Sequence, residues 1–160
     1  MHIENVHIHL GPDQRLTAPE LAKIMGFGVA AAPVAAQPAP AIGQPWPGIG
    51  GIYAGVSRGE NGEPGAHLVP LNALPERDLN WHDAVKWAEG LGDGARLPTR
   101  FESALLYANV QDKLDTERWH WTGTQYSSGN AWDQNFHNGD QYYDGKKFEA
   151  RARAVRRLIL

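Results

Sequence analysis

The sequence predicts an α+β domain. Three observations carry that expectation: a strand–turn–strand pattern over residues 52–71, two helical segments over 80–110, and alternating strands broken by Asn-Gly and Asp-Gly turns from there to the end. In the opening hairpin, Ile52-Tyr53-Ala54-Gly55-Val56 reads as one strand and His67-Leu68-Val69-Pro70-Leu71 as its return. Between them the segment Ser57 to Gly65 is rich in turn formers and contains Asn61-Gly62. Pro70 has no amide hydrogen to donate, so it belongs at an edge or at the end of a ladder.

The first helix is marked by Asn80 as cap, by Trp81, Ala84, Val85, Ala88 and Leu91 at helical spacing, and by Gly90, Gly92 and Gly94 as its end. The second follows Pro98 with a capping box, Thr99-Arg100-Phe101-Glu102. Its expected buried face is Phe101, Ala104, Leu105 and Ala108. Beyond it, Trp119, Trp121 and Gly123 alternate with His120, Thr122 and Thr124, and Trp132, Gln134 and Phe136 alternate with Asp133, Asn135 and His137. This period of two places Trp119, Trp121, Trp132 and Phe136 in the core. Asn138-Gly139 and Asp144-Gly145 are expected hairpin turns, and Ala152 to Leu160 is an expected final strand.

Upstream, residues 1–28 read as an attachment or oligomerisation arm. Val6, Ile8 and Leu10 share one strand face, with His7 and His9 on the other. A lone strand needs a partner, which would be another copy or another protein. Thr17-Ala18-Pro19-Glu20 then opens a short helix carrying Leu21, Ile24 and Met25. Residues 29–48, VAAAPVAAQPAPAIGQPWPG, form a Pro/Ala-rich semi-rigid linker, so the domain is expected to span 49–160. The His7-x-His9 pair would converge on a metal only at the axis of a trimer, and the plain reading is the polar face of a docking strand; no metal site is assigned.

Composition excludes several functions. The net charge of −3 argues against general nucleic-acid or membrane-surface binding, which needs a basic excess. No apolar run approaches the ~20 residues of a membrane span, and the start lacks a signal-peptide pattern. With no cysteine there is no disulfide, thiolate metal site or thiol nucleophile, which fits synthesis in a reducing cytoplasm. The chain has no Gly-x-Ser-x-Gly elbow, no phosphate-binding glycine loop and no His-Glu-x-x-His helix. No catalytic residue and no cofactor are assigned.

The last ~110 residues resemble the Lcl C-terminal-like domains, which have a C-type-lectin-like fold. The resemblance rests on Gly50-Gly51-Ile52-Tyr53-Ala54-Gly55, Leu97-Pro98-Thr99-Arg100, Trp119-His120-Trp121-Thr122-Gly123-Thr124, Ser127 to Phe136, Asn138-Gly139 and Arg151-Ala152-Arg153-Ala154-Val155-Arg156. It implies pairing of the first and last strands, a ligand face made by the later loops, and a protein of phage or prophage type that contacts a host surface. Calcium-dependent sugar binding is not implied, because Trp132-Asp133-Gln134-Asn135 matches the lectin calcium motif only partly and no Glu-Pro-Asn loop precedes it. Formylglycine-generating enzymes share the fold, but their chemistry needs cysteines.

The candidate ligand face runs from Tyr126 to Tyr143, where aromatic rings offer rigid contact area and short polar side chains offer hydrogen bonds. Tyr126, Ser127, Asn130, Asp133, Asn135, His137, Asp140 and Tyr142 are the expected ligand-binding residues. Within the basic cluster Arg151, Arg153, Arg156 and Arg157, some arginines are expected to pair with acids or stack on tryptophans. The expected function is that of a virion tail or fibre protein, made in the bacterial cytoplasm. Its head would bind a host-surface saccharide or protein, and its arm would join it to other virion proteins, as a homo-oligomer with a trimer favoured. Two alternatives stand beside it. One is a decoration subunit that binds only its neighbours. The other is a surface-polysaccharide hydrolase using a carboxylate pair from Asp133, Asp140 and Asp144.

Overall fold

A computed structural model describes residues 38–160. The expected arm, with His7 and His9, and the linker as far as residue 37 lie outside the described residues. Among the described residues there are two α-helices and ten short strands, in four antiparallel sheets. The strands β1 (Pro45–Trp46) and β2 (Gly51–Ile52) pair with each other. β3 (Gly55–Ser57), β4 (Ala66–Pro70) and β10 (Val155–Ile159) form a sheet in the order β10-β4-β3. β5 (Leu79–Asn80) pairs with β9 (Glu149–Ala150). β6 (Trp119–Gln125), β7 (Asn130–Asn135) and β8 (Gln141–Gly145) make a meander with β8 at its edge. The helices α1 (Trp81–Gly90) and α2 (Arg100–Val110) separate the two larger sheets in the chain.

The opening hairpin forms as expected. Asn61 and Gly62 hold φ of 52° and 86°, and the Glu63 amide donates to the Glu60 carbonyl, a two-residue turn that needs left-handed backbone at both central positions. Pro70 is the last residue of its strand, opposite Val155. The final strand pairs with β4, the return strand of this hairpin, and not with β1.

The packed body starts earlier than residue 49. Trp46, placed in the linker by composition, is 3% exposed and packs edge-to-face on Tyr53 and His67. The backbone of Gly43 and Gln44 hydrogen-bonds to that of Tyr53. A proline-rich composition therefore hid a stretch that docks through one indole.

Both helix starts are as the sequence implies. The Asn80 side chain accepts from the Asp83 amide, and Thr99 with Glu102 completes a reciprocal capping box. The buried face of α2 differs from the expected one. Phe101 is 69% exposed and Ala104 and Ala108 face solvent, while Glu102, Ser103, Leu106 and Val110 are buried. The cause is electrostatic. The carboxylate of Glu102 receives both Arg96 Nη1 and Nη2 at 2.8 Å and the Thr99 amide at 2.8 Å, with Arg157 Nε at 3.5 Å. This anchor turns the i, i+4, i+8 row Glu102–Leu106–Val110 inward. Leu106 and Val110 then join Ala54, Leu68, Phe136 and Val155 in the core.

Three of the four C-terminal arginines pair with acids, Arg151 with Asp78 and Asp115, Arg156 with Asp93, and Arg157 with Glu63, whereas Arg153 donates Nη1 to the Leu71 carbonyl. Asn138-Gly139 turns the β7–β8 hairpin, with Gly139 at φ 85°. Asp144-Gly145 does not form a hairpin: both residues end β8, and the next strand, β9, pairs with β5.

Candidate functional site

The outer sheet carries the aromatic residues. In the β7–β8 ladder Trp132 stands opposite Tyr143 and Asp133 opposite Tyr142. Regular period-two alternation would put Trp132 and Tyr143 on one face and Asp133 and Tyr142 on the other, but the exposed Tyr142 ring lies against that of Tyr143. Tyr126 follows β6 in the loop that leads to β7. It stacks on Tyr143 with ring centroids 3.8 Å apart and planes within 9°. Tyr142 stacks on Tyr143 as well, at 4.9 Å and 9°, an arrangement open to chain neighbours because β8 is an edge strand. The three rings form one stack with Tyr143 in the middle. Trp132 meets Tyr126 and Tyr143 edge-on at 5.5 and 5.6 Å. Tyr126 and Tyr142 are 50% and 55% exposed, so the stack is presented to solvent. A hydrogen bond with Tyr126 and its electrostatic influence push the Tyr143 hydroxyl above the ordinary tyrosine value.

Two cations fix this platform. The Arg100 guanidinium lies 3.7 Å above the Trp132 ring, and its Nε donates to Gln141 Oε1 at 2.7 Å. Gln141 in turn donates to the Arg100 carbonyl and to Gln134. Lys146 is buried; its Nζ donates to Gln125 Oε1 at 2.6 Å and to the Ser128 carbonyl at 3.0 Å, while lying 4.7 Å from the Trp81 ring. That ammonium pins the loop that holds Tyr126. Arg100 and Lys146 lay outside the expected ligand face, and Gln141 lay within its Tyr126–Tyr143 segment without a role assigned to it. Only Arg100 lay in a block singled out by resemblance, and no periodic pattern marks a residue whose role is to hold an aromatic from another strand.

The eight expected residues divide into groups. Tyr126, Ser127 and Asn130 cluster at one end of the meander, where the Asn130 amide donates to Ser127 Oγ. Asn135, His137 and Asp140 gather at the opposite turn: Asn135 Oδ1 accepts from the His137 amide, and Asp140 Oδ2 accepts from Asn138 Nδ2 at 2.6 Å. The six residues of β7 separate the two ends by roughly 17 Å. Tyr142 belongs with the first group through the tyrosine stack.

Asp133 is a correction. It is 0% exposed and cannot touch a ligand from the surface. Neither of its oxygens receives a hydrogen bond from a protein donor among the described residues. Burial first, and then the negative charge and hydrogen bonding of Asp144, push its carboxyl up to about 7. Two carboxylates both accept, so a bond between Asp133 and Asp144 requires a proton on one of them. The sealed position also keeps Asp133 away from a polysaccharide chain that a hydrolytic carboxylate pair would have to reach. Among the described residues no three His, Asp or Glu side chains converge to hold a metal ion, and no helix is long and apolar enough to cross a membrane.

Of the residues expected in the core, Trp121 and Phe136 are fully buried. Trp119 and Trp132 are half-buried, the latter because it forms the base of the platform. His120 is buried against Phe136 with Nδ1 3.0 Å from the Arg118 carbonyl, and desolvation lowers its pKa to about 4.

No family model matches the sequence, and no curated protein matches it. Among solved structures, the crystal structure of botrocetin, a C-type-lectin-like fold, aligns with a TM-score of 0.39 and 11% identity. The alignment covers 66% of this chain and 96% of botrocetin. A likeness of that size does not establish a shared fold; the architecture that stands is an α+β domain of two helices and antiparallel sheets.

Proposed function

We propose that residues 38–160 form a C-type-lectin-like binding module, and that its tyrosine platform meets a host-surface ligand on behalf of a phage or prophage particle. The observation that carries this reading is the half-exposed stack of Tyr126, Tyr143 and Tyr142, fixed from below by Trp132, Arg100 and Lys146. Aromatic rings left in water cost stability unless something covers them, and rigid ones lose little entropy when covered. Ser127, Ser128 and Asn130 beside the stack supply short hydrogen-bonding groups. Flat rings with such neighbours suit the C–H face of a saccharide or a loop of a surface protein. Several copies held by the N-terminal arm of a tail or fibre oligomer would raise a weak single-site affinity by avidity.

Fluorescently labelled full-length protein titrated onto a panel of bacterial cells tests this reading. Saturable binding that survives protease treatment of the cells and is lost after periodate oxidation identifies a saccharide, and the reverse pattern identifies a protein. Absence of binding to every cell type, together with co-sedimentation with its own assembled particle, would overturn the receptor reading in favour of a decoration subunit.

A further inference from the structure

The chain has two Asn-Gly pairs, Asn61-Gly62 and Asn138-Gly139, each at the turn of a hairpin and each with its asparagine exposed. Asn-Gly is also the dipeptide most open to a side reaction of the backbone. The amide nitrogen that follows an asparagine attacks the side-chain amide carbon, and glycine brings that nitrogen in without a Cβ to obstruct it. The fold holds the two pairs very differently.

Asn138 is tied at three points. Its Oδ1 accepts from the Asp140 amide at 3.1 Å, its Nδ2 donates to Asp140 Oδ2 at 2.6 Å, and the Gly139 amide donates to the Asn135 carbonyl at 3.0 Å. The attacking nitrogen is thus occupied and the group under attack is held by its own bonds. The Tyr107 ring also covers Gly139, where an added Cβ would lie 2.6 Å from Cε1. Bringing Gly139 N onto Asn138 costs all three bonds in a crowded place.

Asn61 has none of these ties. Its side chain makes no hydrogen bond among the described residues, and the Gly62 amide donates to no group there. An added Cβ on Gly62 would meet nothing within 4 Å. One bond closes the turn, from the Glu63 amide to the Glu60 carbonyl at 3.0 Å. Asn61 holds the turn at φ 52°, a left-handed conformation that asparagine tolerates and does not prefer. Rotating the Asn61–Gly62 peptide until its nitrogen meets Cγ breaks that one bond and leaves a disfavoured backbone.

We propose that Asn61 is a site of spontaneous modification, where Gly62 closes a succinimide and the residue ends as aspartyl or isoaspartyl. Hydroxide removes the Gly62 amide proton, and the nitrogen forms a bond to Asn61 Cγ. The Cγ–Nδ2 bond breaks, and Nδ2 leaves as ammonia, taking a proton from water and so returning hydroxide. Water then opens the ring imide. Opening at Cγ gives an aspartyl residue. Opening at the backbone carbonyl gives isoaspartyl, which routes the main chain through the side-chain carbon and lengthens it by a methylene. Either product puts a new negative charge between Glu60 and Glu63. The longer chain no longer fits a two-residue turn, so the isoaspartyl form loosens β3 against β4 at their joined end.

The test ages the full chain in warm, mildly alkaline buffer and maps it by tryptic digestion and mass spectrometry. Cleavage after Arg58 and Arg77 isolates Asn61, and cleavage after Arg118 and Lys146 isolates Asn138. Exchange of amide for acid is read as a mass gain, and isoaspartyl as a second peptide of equal mass and shifted retention. In the folded chain Asn61 is expected to convert about tenfold faster than Asn138, whose extra hydrogen bonds must be broken first. In concentrated urea, where neither set of contacts exists, the two rates are expected to converge. Asn61→Gly, which suits the left-handed φ, is expected to abolish the gain in its peptide. Equal rates in the folded chain, faster conversion of Asn138, a difference that persists undiminished in urea, or a mass gain that remains in Asn61→Gly and so belongs to Asn72 would overturn the proposal.

Discussion

Trp46, Tyr53 and His67 meet edge-to-face with centroids 5.2, 5.3 and 5.4 Å apart, and both larger rings are almost fully buried. Tyr126, Tyr143 and Tyr142 lie parallel instead, with about half of the two outer residues in water. The first cluster closes on itself: the Tyr53 hydroxyl bonds to His67 Nδ1 at 2.9 Å, and the indole covers the hairpin. The second ends in open ring faces. Aromatic content alone therefore says nothing about role. What separates a structural cluster from a presented one is whether its surfaces find partners within the chain, and whether a second set of residues exists only to hold it still. Lys146 and Arg100 are that second set for the tyrosines.

The largest effect is expected in the buried cluster. Trp46→Ala removes an indole that is 3% exposed and should cost about 3–5 kcal/mol of stability, read as a lower urea midpoint with an unchanged slope. Trp46→Phe should cost much less, because the indole N–H it deletes has no hydrogen-bond partner among the described residues. A midpoint unmoved by Trp46→Ala would mean that residues 43–46 are a true linker.

Next in size is the buried carboxyl beneath the platform. The folded-state value of Asp133, about 7, lies above the ~3.9 of an unfolded chain, so its contribution is full below ~pH 4 and lost as pH rises through 7. His120 acts in the opposite sense. Its folded value of about 4 lies below the unfolded ~6.5, so its contribution is full above that value and lost as pH falls toward 4. The two oppose each other between about pH 4 and 6.5, and above that Asp133 alone lowers stability toward pH 7. Asp133→Asn gives Asp144 a donor without a shared proton. It should remove the decline and stabilise the fold by about 1–3 kcal/mol near pH 8. Parallel loss of stability in variant and wild type across that range would show that Asp133 is not the group that titrates.

Smaller still is Arg100→Lys. A lysine keeps the charge but loses the flat contact with Trp132 and the Nε bond to Gln141, so about 0.5–2 kcal/mol of stability goes, with ligand binding weakened a few-fold. Binding unchanged in Arg100→Lys would show that the platform does not need Trp132 held in place.

Much of the fold was legible because its signals are local. Asn80 and Thr99-x-x-Glu102 mark helix starts through bonds within one turn, and Asn61-Gly62 and Asn138-Gly139 mark turns through the backbone they require. The misread burials involve partners beyond the reach of a single turn or repeat. Phe101 matched the apolar stripe better than Glu102, but Arg96 and Arg157 draw the carboxylate inward and leave the ring outside. Trp46 sat among prolines, and only Tyr53 and His67 reveal its burial. In the site, Tyr126 and Tyr142 were identified by residue type, whereas Asp133 was placed on the ligand face and is sealed within the fold. Period-two alternation tells which residues share a face, not which face is covered. The Asp144-Gly145 pair shows the same limit, since turn chemistry is also compatible with the end of an edge strand.

The most direct measurement of the proposed binding face takes Tyr126→Ala/Tyr142→Ala beside wild type in two assays, urea unfolding and titration onto cells that bind the wild-type protein. The expected result is a stability change within about 1 kcal/mol, because both side chains are half exposed, and a loss of binding of tenfold or more, about 1.4 kcal/mol per site. Wild-type affinity in a variant of wild-type stability would contradict the platform as the binding face.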